Sequence, residues 1–279
     1  MIQDIFPHKL YNQYRPDIQP GKDDYVICIK DQNMLVNKKQ MDHLVLEFPR
    51  VGDFAQKLNL RYLLAVDDEH YFIYVQQDKA EEPLLSGYDY MDIRKIRKSG
   101  SAPRYRIFAL LTAKHLYDWY RDNVFCGRCG EKMVHSKKER AMMCKCCGYV
   151  SYPRIMPAVI VGVRDKDRLL ITRYRNGYQH NALVAGFTEI GETLEETVMR
   201  EVMEETGIRV KNIEYYKSQP WGIANDILMG FYCDAEGSVD IRMEEDELKY
   251  AEFVHKKDIV LQPDDFSLTN EMMKVFKES

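Results

Sequence analysis

The chain has 279 residues, and 40 basic against 44 acidic side chains give a formal net charge of −4. Hydrophobic residues make up 45% and charged residues 30%, enough apolar material for packed cores, which excludes a wholly disordered chain. The mild acidity excludes a protein that coats nucleic acid through bulk charge, and no run reaches the ~20 apolar residues of a membrane helix. The start, Met1-Ile2-Gln3-Asp4, lacks a basic-then-apolar signal pattern, so a cytoplasmic location is expected.

Residues 1 to 103 read as a mixed, mostly β domain. Tyr25-Val26-Ile27-Cys28-Ile29, His43-Leu44-Val45-Leu46 and Tyr71-Phe72-Ile73-Tyr74-Val75 are short β-branched and aromatic runs. Asp67-Asp68-Glu69-His70 should turn the chain between Tyr62-Leu63-Leu64-Ala65-Val66 and the third run. No catalytic spacing occurs here, and the region is assigned no chemistry. Ser99-Gly100-Ser101-Ala102-Pro103 reads as a linker, after which Ile107, Leu110, Leu111, Leu116 and Trp119 recur at helical spacing and predict a helix over 104–123. That helix and a cysteine cluster form a second segment, 104–152. In the third, 153–279, residues 158–163 read as a buried strand and Asp165-Lys166-Asp167 as a hairpin turn into residues 168–172. Leu183-Val184-Ala185-Gly186 precedes a helix from Thr193 to Thr206 that stops at Gly207. Further strands are expected at 227–233 and 251–255, and a tail helix over 267–277 capped by Ser267 or Thr269. The fold class expected is α+β, without internal repeats.

The seven cysteines are unevenly spread: Cys28 and Cys233 stand alone, whereas Cys126, Cys129, Cys144, Cys146 and Cys147 fall within 22 positions. An odd count without a secretory signal fits a reducing compartment and a metal site rather than disulfides. Cys126-x-x-Cys129 and Cys144-x-x-Cys147 can each place two thiolates about one tetrahedral Zn²⁺, with Gly127, Gly130 and Gly148 allowing tight turns. Two such knuckles make a zinc ribbon. Adjacent residues rarely share an ion in a ribbon, so Cys146 is read as a spectator thiol. His135 could ligate, but four cysteines already close the site. A zinc with four protein ligands keeps no position for water, so its role is structural.

The most informative stretch runs from Gly186 to Ile208. Thr193 and Glu196 form a capping box that starts a helix, and Gly207 ends it. Glu201, Glu204 and Glu205 stand at i, i+3 and i+4 and share one face. Three carboxylates on one face repel one another, and a divalent cation relieves that repulsion. All-oxygen ligands select a hard ion, Mg²⁺ or Mn²⁺, over zinc. A solvated acidic face is the bland alternative. Against it, Leu194, Val198 and Val202 border the glutamates with an apolar stripe, and Gly186 and Gly191 frame a loop suited to close backbone approach.

This stretch resembles the Nudix box, Gly-x5-Glu-x7-Arg-Glu-U-x-Glu-Glu-x-Gly-U with U aliphatic. It does so at every fixed position: Gly186, Glu192, Arg200, Glu201, Val202, Glu204, Glu205, Gly207 and Ile208. The resemblance implies a C-terminal α/β/α Nudix sandwich that hydrolyses a nucleoside diphosphate linked to another group. It implies metals on Glu201, Glu204 and Glu205, a carboxylate oriented by Arg200, and a loop–helix junction braced by Glu192. A zinc ribbon ahead of such a domain, with Ser218-Gln219-Pro220-Trp221 beyond the box, is similar to the NADH pyrophosphatase subgroup over residues 104–279. That subgroup would cut NAD(H) into AMP and nicotinamide mononucleotide, and some members remove NAD caps from RNA. The resemblance further implies a metal ligand at Glu247, base-holding aromatics at Tyr152 and Phe187, substrate contacts at 218–221, and a homodimer. Two or three Mg²⁺ or Mn²⁺ would serve the four glutamates, any of which could take the proton of the attacking water.

One departure stands out. The subgroup continues Ser-Gln-Pro-Trp-Pro-Phe-Pro-x-Ser, whereas this chain has Gly222-Ile223-Ala224-Asn225-Asp226 after Trp221. Without the prolines the loop is expected to be more flexible or differently shaped. Two rival functions follow. One is a Nudix hydrolase for ADP-ribose or another dinucleotide. The other is a non-catalytic nucleotide sensor that binds nucleic acid through the ribbon's Lys132, Lys137, Lys138 and Arg140.

Overall fold

A computed structural model describes residues 1–40, 44–55, 58–74, 85–98 and 100–279. His43 and Val75 of the expected strands, and Ser99 of the expected linker, lie outside them. The fold is α+β and divides into two compact units. One comprises Gln3–Arg154 with Gly222–Asn225, and the other Met1–Ile2, Ile155–Trp221 and Asp226–Ser279.

In the first unit the strands are β1 (Leu10–Tyr11), β2 (Tyr25–Ile27), β3 (Ile29–Lys30), β4 (Asn33–Gln40), β5 (Leu44–Glu47), β6 (Leu60–Val66), β7 (Glu69–Tyr74) and β8 (Tyr88–Asp92). One sheet has the order β1-β6-β7-β2, and in the other β4 pairs with β3, β5 and β8. The turn between β6 and β7 is shorter than expected. Asp67 takes the left-handed conformation (φ 51°), and Glu69 and His70 already belong to β7. Helices α1 (Ile93–Lys98) and α2 (Arg104–Asp122) follow, and α2 buries Ile107, Leu110, Leu111 and Trp119. Three short strands, β9 (Met133–His135), β10 (Met142–Cys144) and β11 (Val150–Ser151), form the antiparallel sheet of the cysteine ribbon. Residues 222–225 pack against α2 in this unit. A Cβ on Gly222 would lie 2.1 Å from the Leu111 carbonyl oxygen, and the Asn225 amide donates to Asp118 at 3.2 Å. The glycine that replaces a proline here is therefore needed by the packing.

The second unit contains β12 (Met156–Asp165), β13 (Arg168–Tyr174), β14 (Val184–Phe187), α3 (Leu194–Thr206), β15 (Arg209–Trp221), β16 (Asp226–Glu236), β17 (Leu248–His255) and α4 (Leu268–Glu278). The sheet order is β15-β16-β12-β13-β17, with β14 also paired to β12. Alternation along β12 settles the layers. Val159, Val161 and Val163 pack with Val198 and Val202 of α3, while Ile160 packs with Leu268, Met272, Met273 and Phe276 of α4. The sheet is thus covered on both faces, an α/β/α sandwich. Lys166 (φ 55°) makes the β12–β13 turn in the place expected.

Both helices begin at side-chain caps. Thr193 Oγ1 accepts from the Glu196 amide at 3.2 Å while the Glu196 carboxylate accepts from the Thr193 amide at 2.7 Å. Gly207 ends α3 at φ 70°, its amide bonded to the Met203 carbonyl. For α4 the cap is Ser267 rather than Thr269, its hydroxyl accepting from the Asn270 amide at 3.1 Å.

Candidate active site and zinc ribbon

The four paired cysteines converge. The sulfurs of Cys126 and Cys147 lie 3.6 Å apart, those of Cys129 and Cys144 3.4 Å apart, and all four fall within 4.8 Å of one another. A tetrahedral Zn²⁺ with Zn–S near 2.3 Å has sulfur–sulfur edges of about 3.8 Å, so the quartet fits a structural zinc. Gly130 (φ 78°) and Gly148 (φ 73°) make the two knuckle turns, and their amides return to the Cys126 and Cys144 carbonyls. Gly127 lies outside the left-handed region, so the backbone gives no conformational reason for that glycine. Cys146 is exposed and outside the quartet. His135 is outside it too, its ring 5.1 Å from that of Tyr120.

On α3 the three glutamates share a face but differ in environment. Glu205 is 2% exposed, and its Oε2 has no hydrogen-bond partner among the described residues. Burial, reinforced by the charges of Glu201 and Glu247, pushes its carboxyl up to about 8. Burial also raises Glu201, opposed by the neighbouring Arg200. Glu204 stands out in solvent. Glu247 is exposed near the start of β17, close enough for its charge to act on both Glu201 and Glu205. Sequence separation hides this proximity, and the sheet creates it.

Arg200 organises the cluster. Its Nε and Nη2 donate to the two oxygens of Glu192 at 2.6 and 2.9 Å, a bidentate pair. Its Nη1 donates to Glu201 at 2.7 Å and Glu204 at 3.0 Å, and Nη2 also reaches the Phe187 carbonyl at 2.9 Å. Arginine thus supplies the positive charge that three like-charged neighbours need. Glu192 also accepts from the Glu189 amide and the Thr197 hydroxyl, each at 3.0 Å. Its carboxyl is held down to about 2, chiefly by Arg200. The loop before α3 is therefore tied to the helix through Glu192.

Gly186 explains its own identity. A Cβ there would lie 2.0 Å from the Glu201 carboxyl carbon, so the β14 backbone and the Glu201 carboxylate are in direct contact. Phe187, the next residue, is 51% exposed. Ser218 and Trp221 are half-buried and Pro220 is exposed at the end of β15. Gln219 is fully buried. Its amide donates to the Phe266 carbonyl at 2.8 Å and accepts from the Leu268 amide at 2.7 Å, bracing the start of α4. Tyr152, in the other unit, is 55% exposed and its hydroxyl donates to Glu139 at 3.0 Å.

Two participants are not visible in the motif. Thr197 has its hydroxyl on Glu192, and the i, i+4 spacing from Thr193 could have suggested its place on the inner face. Tyr174 at the end of β13 is raised by burial and by the charges of Glu205, Glu247 and Glu201, which puts its phenol beside the carboxylates. Nothing in the sequence near Tyr174 marks it.

Residues 154–275 match the NUDIX domain and residues 121–152 match the NADH pyrophosphatase zinc ribbon domain. The chain carries a Nudix domain. Its relatives include the NAD-capped RNA hydrolase NudC of Klebsiella pneumoniae subsp. pneumoniae, 45% identical over 152 residues, which are 53% of this chain and 58% of that protein. The NAD-capped RNA hydrolase NudC of Shigella flexneri is 44% identical over 151 residues, again 53% and 58% of the two chains. The match thus spans less than two thirds of these relatives' length. A solved NUDIX hydrolase from Nitrosomonas europaea is similar at 19% identity and a TM-score of 0.46, covering 55% of this chain and 90% of that one. Within the Nudix domain the box residues run from the end of β14 through α3, so one loop–helix unit positions every charged group of the motif. Oxygen donors at graded depth around a backbone that admits no side chain can bind hard cations and the phosphates they neutralise.

Proposed function

We propose that the chain hydrolyses the pyrophosphate bond of NAD(H), yielding AMP and nicotinamide mononucleotide, with the NAD cap of an RNA as a second substrate of the same chemistry. The observation that carries this is the acidic face of α3, held by Arg200 and pressed against the bare backbone of Gly186. The ribbon domain's match to that of NADH pyrophosphatases and the names of the relatives support the dinucleotide. Mg²⁺ or Mn²⁺ held among Glu201, Glu204, Glu205 and Glu247 would neutralise the pyrophosphate and acidify the attacking water. The orphaned Oε2 of buried Glu205 and the all-oxygen donor set fit such an ion.

The chain's own residues supply the rest. Arg200 fixes Glu201 and Glu204 in place, and Glu192 fixes Arg200. Phe187 offers an exposed ring beside the glutamates, and the resemblance assigns base-holding to Tyr152 as well; stacking a base contributes about 1–3 kcal/mol and tolerates different rings. Ser218, Pro220 and Trp221 border the substrate, while Gln219 shapes that border through α4. The zinc ribbon contributes folding energy and no chemistry. Three domains (1–103, 104–152 and 153–279), a homodimer and a reducing, cytoplasmic setting complete the reading, the last supported by the thiolate quartet.

The test is a substrate panel: NADH, NAD⁺, ADP-ribose, diadenosine polyphosphates and NAD-capped RNA, each with Mg²⁺ or Mn²⁺. Release of AMP and the mononucleotide from NAD(H) is expected. Turnover of ADP-ribose alone would move the substrate, and no turnover of any would leave a nucleotide sensor.

A further inference from the structure

Asp226, the first residue of β16, is 5% exposed, and its Oδ1 has no hydrogen-bond partner among the described residues. The orphaned carboxyl oxygen of Glu205 lies in the glutamate cluster of α3, and a second one outside that cluster needs a reason of its own. Burying one without a partner is unfavourable, and an apolar side chain would avoid that cost. Burial pushes it up to about 7, opposed by its own backbone amide.

The register shows what Asp226 shares a face with. It pairs with Trp221 on β15 and with Met156 on β12, in runs without a bulge. Two residues on, Leu228 packs with the α4 layer, so Asp226 lies on that same face. Phe187 pairs with Ala158, and Ala185 before it also packs with the α4 layer, so Phe187 is on this face as well. Helix α4 begins one row inward of Asp226: its first residue, Leu268, donates its amide to the side chain of Gln219, in the row of Leu228 and Ala158. Asp226, Met156 and Trp221 form the next row outward. Two strand spacings and two residues separate the Cα atoms of Asp226 and Phe187, about 12 Å, which spans one flat ring and its edge-on hydrogen bond. Met156, beside Asp226, is 36% exposed and Phe187, one row inward, is 51% exposed, so the face is open at these two side chains.

We propose that Asp226 is a specificity-determining residue: its carboxyl accepts a hydrogen bond from the exocyclic NH₂ of the substrate ring that stacks on Phe187. This deepens the hydrolase reading above and rests on it. Both halves of NAD carry such a group, the adenine amine and the nicotinamide carboxamide. A serine, which the subgroup motif has at this position, reaches less far and carries no charge, so the aspartate would sharpen recognition of an N–H donor.

The experiment measures kcat and KM for NAD⁺, for its hypoxanthine analogue, which lacks the adenine amine, and for its nicotinic acid analogue, which replaces the carboxamide with a carboxylate. The wild-type enzyme should disfavour one analogue by about 10-fold or more in kcat/KM, mainly through KM. Which analogue is disfavoured identifies the half of the dinucleotide that Asp226 reads. In Asp226→Ala that preference should collapse to within about 3-fold, while Asp226→Asn, which keeps one acceptor oxygen, should retain part of it. A preference unchanged in Asp226→Ala, or absent from the wild type, overturns the assignment while leaving the hydrolase reading intact. Failure of the wild type to turn over any of the three overturns both.

Discussion

Gly186 has no conformational need to be glycine, since its φ lies outside the left-handed region. Space is the reason: the Glu201 carboxyl occupies the position of a Cβ, 2.0 Å away. Gly186→Ala should therefore lower kcat by about 100-fold or more by displacing a metal-site carboxylate, with the fold and zinc content retained. Near wild-type kcat in that variant would show that the contact is dispensable. Glu192 acts differently, through charge. Its carboxyl lies at about 2 against an ordinary 4.5, so it stabilises the folded state above pH 4.5, and that contribution is lost as pH falls toward 2. Glu192→Gln should lower Tm at pH 7, and the gap to wild type should narrow between pH 4.5 and 2. Asp226 has the opposite sign. Its raised value, about 7 against 3.8, means that ionisation destabilises the fold increasingly from pH 3.8 up to 7 and by a constant amount above that. Asp226→Asn should raise Tm at pH 8 and leave it nearly unchanged at pH 4, as thermal melting would show. Glu201, Glu204 and Glu205 were legible from spacing because a single helix carries them, whereas Arg200 and Glu192 came from the resemblance to the Nudix box. Glu247 needed the resemblance and Tyr174 was missed, because only the sheet brings them to α3.

At the scale of elements, α3 was readable to within a residue at each end, because its signals are local: a capping box, an apolar stripe and a terminal glycine. Thr193→Ala removes that cap and should cost about 1 kcal/mol, read as a lower denaturation midpoint with an unchanged m-value. Catalysis should fall with it if the first turn of α3 frays and loosens Glu192. Strand β15 shows the converse. Thirteen residues from Arg209 to Trp221 form the longest strand of the sheet, yet the sequence reading did not anticipate it. As an edge strand, paired among the described residues only with β16 and interrupted by register shifts, it shows no clean apolar alternation and tolerates Pro220. The loop after it was expected, for want of prolines, to be looser or differently shaped, and nothing pointed to a packed contact. Instead Gly222 lies against the α2 backbone, a tertiary constraint that no local pattern announces.

Over the whole molecule, the three-layer arrangement of the Nudix domain came from the resemblance, and the unbroken apolar run of β12 agrees with a strand covered on both faces, whereas the order of strands was not legible. The contact pattern that groups the ribbon with the N-terminal strands was equally hidden, because it depends on pairings remote in sequence. The ribbon itself was legible from four cysteines. Cys144→Ser should release zinc and lower Tm, whereas Cys146→Ser should keep the zinc in full, as metal analysis of the purified variants would show. Loss of zinc from the second variant would make Cys146 a ligand. The acidity of −4 is partly the carboxylate cluster itself, a charge that bound cations would offset, so it excludes a nucleic-acid coat and not a nucleotide substrate. The central claim is that the α3 glutamates carry hydrolysis, and the direct measurement is kcat for NADH with Mg²⁺ in Glu204→Gln/Glu205→Gln. A fall of about 1,000-fold or more with little change in KM is expected in a folded, zinc-loaded double variant. A near-normal kcat would contradict it.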